Sequence, residues 1–148
     1  MSRSKIPDQI KKLVRSRAAG LCEYCHAVEQ WQYVQFTLDH IQPVSRGGDN
    51  SAANLALACM HCNRRKSNHV MALDPETGQE VSLFNPRQDC WTEHFIWSAD
   101  TLLLEGVTPT GRATVAALGI NRSWAVAIRA ADLQVRRHPP PGDPKQSS

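Results

Sequence analysis

Leu38–Lys66 reads LDHIQPVSRGGDNSAANLALACMHCNRRK. Asp39 and His40 stand together at its head. Pro43–Asn50 (PVSRGGDN) follows, then Asn54, the apolar run Leu55–Ala58, Cys59-x-x-Cys62, Asn63 and the basic run Arg64-Arg65-Lys66. Proline, paired glycines, Asp and Asn in 43–50 are turn chemistry, so that segment is predicted to be a loop. Leu55–Ala58, a short apolar run bounded by turn signals, is predicted to be a strand. Met60 to about Asn68 is predicted to be a helix, because Asn63–Lys66 offers good helix formers over two turns. Just upstream, Tyr33–Leu38 (YVQFTL) alternates and is rich in β-formers, which predicts a strand ending at Asp39-His40. The order strand, loop, strand, helix is a ββα unit.

A second knuckle, Cys22-x-x-Cys25, precedes this unit, and 33 residues separate it from the first cysteine of the other knuckle. Two-residue spacing lets both thiolates of a knuckle bind one tetrahedral Zn²⁺. Cys22, Cys25, Cys59 and Cys62 therefore complete a closed four-thiolate shell, which is structural rather than catalytic. A redox C-x-x-C would need a βαβ setting that this chain lacks. His26 and His61 stand beside the ligands and are not needed as substitutes. The fifth cysteine, Cys90, reads as a plain, partly buried thiol. Ser4–Ala19 is predicted to be an amphipathic helix. Ile6, Ile10, Leu13 and Val14 share one face, and Lys11, Lys12, Arg15 and Arg17 form a solvated basic surface. Pro7 suits its first turn, Asp8 its positive end and Gly20 its stop. Zinc would tie this helix to a ββα unit too small to bury much core unaided.

The chain has 148 residues, with 17 Lys/Arg against 14 Asp/Glu. Residues 1–70 hold ten basic and five acidic residues, and residues 71–148 hold seven and nine. The positive charge thus gathers on the half with the knuckles, as expected if that half meets a polyanion. No apolar run is long enough for a membrane span and no secretory leader is visible, so a cytoplasmic address is expected. Paired knuckles in a reducing compartment point to metal rather than disulfides.

If the helix packs across the two strands, its first turn faces the strand end carrying Asp39-His40. A carboxylate and an amide oxygen, from Asp39 and Asn63, then share one hard cation. The neighbouring imidazole of His40 takes a proton from an attacking water. Such a set suits phosphodiester hydrolysis. Taken singly, the parts say little: an Asp-His pair is usually an ordinary surface pair, and a basic run is usually a solvated helix face. Their conjunction in this order is what carries weight.

From Leu21 to Asn68 the chain resembles the HNH endonucleases, the ββα-metal (His-Me finger) nucleases, in the variety with a four-cysteine zinc site. The likeness rests on the two knuckles, D-H-I-x-P-x-S-x-G-G, N-L and C-N-x-x-K. The resemblance implies that His40 is the general base, Asp39 the acidic metal ligand and Asn63 a second ligand. It also implies that Asn54 holds the loop in shape. One divalent ion, commonly Mg²⁺ or Mn²⁺, would serve the site. The substrate implied is DNA, most naturally double-stranded, with Arg64, Arg65, Lys66 and Arg46 as phosphate contacts.

Beyond Val70 the character changes. Asp74–Gly78 is predicted to be a turn between Val70–Leu73 and Glu80–Phe84. Trp91–Ser98 alternates, placing Trp91, Glu93, Phe95 and Trp97 on one side, and forms a hairpin with Thr101–Val107. Thr108 caps a helix with Pro109 at its first position. That helix reaches about Leu118, and Asn121 caps a last helix to about Arg137. LFNPRQDCWTEHFIW and GVTPTGRATVAALGIN resemble the extension of some small standalone bacterial HNH proteins, which transfers no chemistry. Arg87 and Arg112 are weak candidates for DNA contact.

The expectation is an α+β protein: a zinc-stapled HNH domain over 1–70, a hairpin-and-helix extension over 71–137, and a disordered tail over 138–148. The leading function is a metal-dependent DNA endonuclease with structural Zn²⁺ and catalytic Mg²⁺ or Mn²⁺. The alternative is a non-catalytic zinc-containing nucleic-acid-binding module. A zinc-stapled protein adaptor is weaker, because it leaves Asp39, His40 and Asn63 unexplained.

Overall fold

The chain was described over residues 5–147 in a computed structural model. Ser4, the expected helix start, lies outside these residues. Among the described residues the architecture is α+β, with short helices and three separate antiparallel strand pairs. Two compact units emerge: the chain through Val70 joined by Asn85–Gln88, and Met71–Phe84 joined by the chain from Asp89 onward. No helix among the described residues is long and apolar enough to cross a membrane.

The first unit begins with helix α1, Asp8–Ala18, entered from Pro7 and ended by Ala19 and Gly20 in left-handed conformations. Val14 and Ala18 are buried, whereas Leu13 is half exposed. The basic residues of α1 divide into two kinds. Arg15 donates to the Glu29 carboxylate at 3.0 Å and to the Phe36 carbonyl at 2.9 Å. Arg17 donates to the carbonyls of Ala52 and Leu55. These two guanidinium groups hold loops to the helix; Arg15 is half-buried, while Arg17, Lys11 and Lys12 are exposed, as a solvated face requires.

Strand β1, Thr37–His40, pairs antiparallel with β2, Leu55–Ala58, so that Asp39 faces Ala56 and His40 faces Leu55. All four β2 residues are fully buried, as expected of a continuous apolar run. The strand expected from Tyr33 begins only at Thr37. Ala58, the partner of Thr37, is the last residue before the chain turns into the knuckle, so residues 33–36 have no ladder to join. The Phe36 amide bonds the Glu29 carboxylate at 2.7 Å instead, and Tyr33 is fully exposed. Helix α2, Met60–Lys66, starts at Cys59, whose sulfur accepts from the Cys62 amide at 3.4 Å. Within this unit, Arg87 forms an ion pair with Glu23.

In the second unit β3 (Met71–Leu73) and β4 (Glu80–Ser82) form a hairpin. Its turn is organised by Asp74, which accepts from the Glu76 amide, the Thr77 hydroxyl and both forks of Arg112. Arg112 lies in the helix that follows Thr108, and both forks are used within the fold and are not free for DNA. Trp91–His94 is one helical turn (α3), and only Phe95–Trp97 is strand (β5), paired with β6, Leu104–Gly106. The alternation predicted across 91–98 therefore breaks at Glu93, which is exposed, while Trp91, Phe95 and Trp97 are buried. Aromatic packing decides this: Trp91 and Phe84 lie 5.1 and 5.2 Å from the Phe95 ring. Cys90 is exposed rather than partly buried.

Helix α4, Pro109–Ala117, is capped by Thr108, whose hydroxyl accepts from the Gly111 amide. The last helix, α5, Ser123–Gln134, starts after Arg122 and stops three residues short of Arg137. Asn121, expected as its cap, bonds both backbone groups of Leu104 instead, at 2.9 and 2.8 Å. The tail from His138 to Gln146 is packed, which corrects the expectation of disorder. Trp97 donates its amide to the Pro144 carbonyl and accepts from the Gln146 amide, and its indole donates to Asp143. His138 bonds the Thr101 carbonyl at 2.6 Å and packs edge-on against Trp97. The open edge of β5 and a buried indole N–H supplied partners that composition does not reveal.

Candidate active site

The four cysteines of the two knuckles converge. Sγ atoms of Cys22, Cys25, Cys59 and Cys62 all lie within 4.8 Å of one another and all four residues are buried. A tetrahedral zinc with bonds of about 2.3 Å sets its sulfurs about 3.8 Å apart. Cys25 and Cys59 are separated by 3.8 Å, the spacing such an ion sets. Burial pushes the Cys22 thiol up, while hydrogen bonds from the neighbouring thiols, Cys22 first, hold Cys59 well below the usual range. The four-cysteine cluster is thus built for a metal such as zinc.

The end of β1, the loop after it, Asn63 of α2 and the residues just past α2 line an open cleft of about 290 Å³. Asp39, His40 and Asn63 all line it, with Ser67 and Asn68 along its edge. Asn63 donates its amide nitrogen to the Thr37 hydroxyl at 2.9 Å, which leaves its oxygen as the candidate ligand atom. His40 bonds the Asn50 side-chain oxygen through Nε2 at 2.7 Å. That oxygen only accepts, so Nε2 carries the proton and Nδ1 carries the lone pair. His40 also borders a second cleft, shared with Lys11, Gly48 and Asn50.

The loop between β1 and β2 is held by Asn54. Its Oδ1 accepts from the Gln42 amide at 2.8 Å, and its Nδ2 donates to the carbonyls of Gln42 and Asp49 at 3.0 and 2.9 Å. Gly48 has no space for a side chain, since a Cβ there would lie 1.7 Å from the Gln42 carbonyl oxygen. Gly47 adopts φ 88°, which favours glycine. The loop therefore reaches Asn50 on a fixed path, and Asn50 meets His40.

Asp39 is only 3% exposed. Tyr24, the residue before Cys25, donates its hydroxyl to Asp39 Oδ2 at 2.6 Å. Lys66 Nζ lies 3.2 Å from the same oxygen and 3.4 Å from Oδ1, and donates to the His40 and Ile41 carbonyls at 3.0 and 3.1 Å. Burial raises the Asp39 carboxyl, opposed by Lys66 and Tyr24. Lys66 is 2% exposed, so its assignment as a phosphate contact is corrected. It sits four residues after buried Cys62, on the inward face of α2, where i and i+4 residues stack. That periodicity was the available signal. Arg64 and Arg65 are exposed on the other side of the helix. Arg46 is exposed and donates to the Asn68 carbonyl at the edge of the cleft. Tyr24 and Asn50 carry no comparable mark in the sequence.

Residues 22–69 match the family model described as HNH endonuclease. The curated proteins searched contain no match to the chain.

Proposed function

We propose, from the match of residues 22–69 to the HNH endonuclease family model, that the protein hydrolyses phosphodiester bonds in double-stranded DNA. The observation that carries this reading is that Asp39, His40 and Asn63 line one cleft. His40 is the general base. Its Nε2–H is fixed by Asn50, so Nδ1 accepts the proton of the attacking water. Asp39 and the Asn63 amide oxygen hold the divalent cation, Mg²⁺ or Mn²⁺. That ion supplies charge against the negative charge that builds on the phosphate and leaving oxygens. Asn54 keeps the loop, and through it Asn50, in register with the base. Arg64, Arg65 and Arg46 neutralise backbone phosphates around the cleft.

The test is nicking of supercoiled plasmid with Mg²⁺ or Mn²⁺, comparing the parent protein with His40→Ala. Loss of a positioned base typically lowers rate by about 10²–10⁴-fold. Cleavage by His40→Ala at the parent rate would remove the base assignment. DNA binding without cleavage under either metal would leave the zinc-containing binding module as the function.

A further inference from the structure

The fully buried Tyr24 sits within the first zinc knuckle, and its hydroxyl donates to Asp39. A phenol in an apolar core needs a partner, and the partner here is a residue of the cleft. Lys66 bonds the same carboxylate oxygen and both carbonyls that follow Asp39 in the chain. The strand end is thus held by both groups, and Oδ1 is the less engaged oxygen, accepting only the longer 3.4 Å contact from Lys66.

We propose that Tyr24 is a positioning residue for the divalent cation: the zinc knuckle, through this phenol, orients the Asp39 carboxylate. The inference rests on the reading of Asp39 as a cation ligand. Without the hydroxyl, Oδ2 loses its shortest hydrogen bond and only Lys66 is left to fix the rotation of the carboxylate. Partners that orient a metal ligand typically change metal affinity about 10–100-fold when removed. Tyr24 touches neither water nor phosphate in this scheme, so its loss should weaken the cation and spare the chemistry.

The experiment measures Mn²⁺ affinity by electron paramagnetic resonance on zinc-loaded parent protein, Tyr24→Phe and Asp39→Asn. Tyr24→Phe should keep one zinc per chain and the parent's DNA affinity measured without divalent cation. Its Mn²⁺ affinity should fall about 10–100-fold, and plasmid nicking should return towards the parent rate at saturating Mn²⁺. A purely space-filling tyrosine would not separate these quantities. If Asp39→Asn loses Mn²⁺ while Tyr24→Phe binds it like the parent, Tyr24 is not a positioning residue and the ligand assignment of Asp39 stands. If Asp39→Asn also binds Mn²⁺ normally, the ligand assignment fails and this proposal fails with it. Should Tyr24→Phe not fold, the parent protein answers by proton NMR. The buried Tyr24 hydroxyl resonance should shift when Mg²⁺ is added, and an unmoved resonance would overturn the proposal.

Discussion

Replacing Lys66 with methionine should destabilise the first unit, and by an amount that depends on pH. Methionine matches the length of the buried stem but leaves the Asp39 carboxylate and the His40 and Ile41 carbonyls without their ammonium donor. Breaking a buried pair by removing one partner costs about 3–5 kcal/mol. Asp39 has an escape, because it can take up a proton. At pH 7 that means protonating a carboxyl about three units above its ordinary value, at about 1.4 kcal/mol per unit. The charge-related cost is therefore capped at about 4 kcal/mol at pH 7, and at about 1.5 kcal/mol at pH 5. The carbonyls add a smaller, pH-independent cost of about 1 kcal/mol each. Urea unfolding in zinc-saturated buffer at both pH values measures the difference between Lys66→Met and the parent. Adding Asp39→Asn to Lys66→Met should recover part of the loss at pH 7 and little at pH 5. A loss that is the same at both pH values, or below about 1 kcal/mol, would show that Lys66 and Asp39 do not behave as a buried ion pair.

Cys59→Ser should abolish stoichiometric zinc and leave the first unit unfolded, since zinc binding and folding are one process in such small units; metal analysis and circular dichroism check it. Arg64→Glu with Arg65→Glu should weaken DNA binding and flatten its dependence on salt, with no loss of zinc. An unchanged salt slope would mean that these residues do not meet phosphate. Burial holds the His138 imidazole below its ordinary value of 6.5, with Arg129, Asp132 and Asp143 as its charged neighbours. The undocked tail therefore takes up a proton first, and docking should weaken as pH falls below about 6.5. Tryptophan fluorescence followed from pH 8 to 5 should report release of the tail from Trp97. His138→Gln should remove that transition.

Much of the first unit is legible in the sequence because its determinants are local. Knuckle spacing is a property of three consecutive bonds in the chain, and the loop announces itself by Pro43, Gly47 and Gly48. What is not legible depends on partners far away along the chain. Lys66 reads as the third member of a basic run, and only the inward face set by Cys62 reveals its burial. The start of β1 is fixed by where β2 stops, not by the alternation of Tyr33–Leu38. Asn121 is a residue type suited to a helix cap, but the backbone N–H and C=O of buried Leu104 capture it first. The tail is rich in proline and polar residues, yet Trp97 has backbone and indole groups left to satisfy, and residues 143–146 satisfy them.

The two knuckles close a loop of 33 residues, and Asp39, His40, Asn50 and Asn54 all lie inside it. Closure entropy grows only with the logarithm of loop length, so doubling that loop costs about 0.6 kcal/mol. The exposed stretch around Tyr33 belongs to no strand and lies in the same loop. New segments inserted there would lengthen the ring at small cost while the bonds that aim His40 stay intact. The four-cysteine clamp thus gives the domain a tolerant insertion point, where a new module can be grafted without disturbing the hydrogen bonds that hold the loop around Asn54.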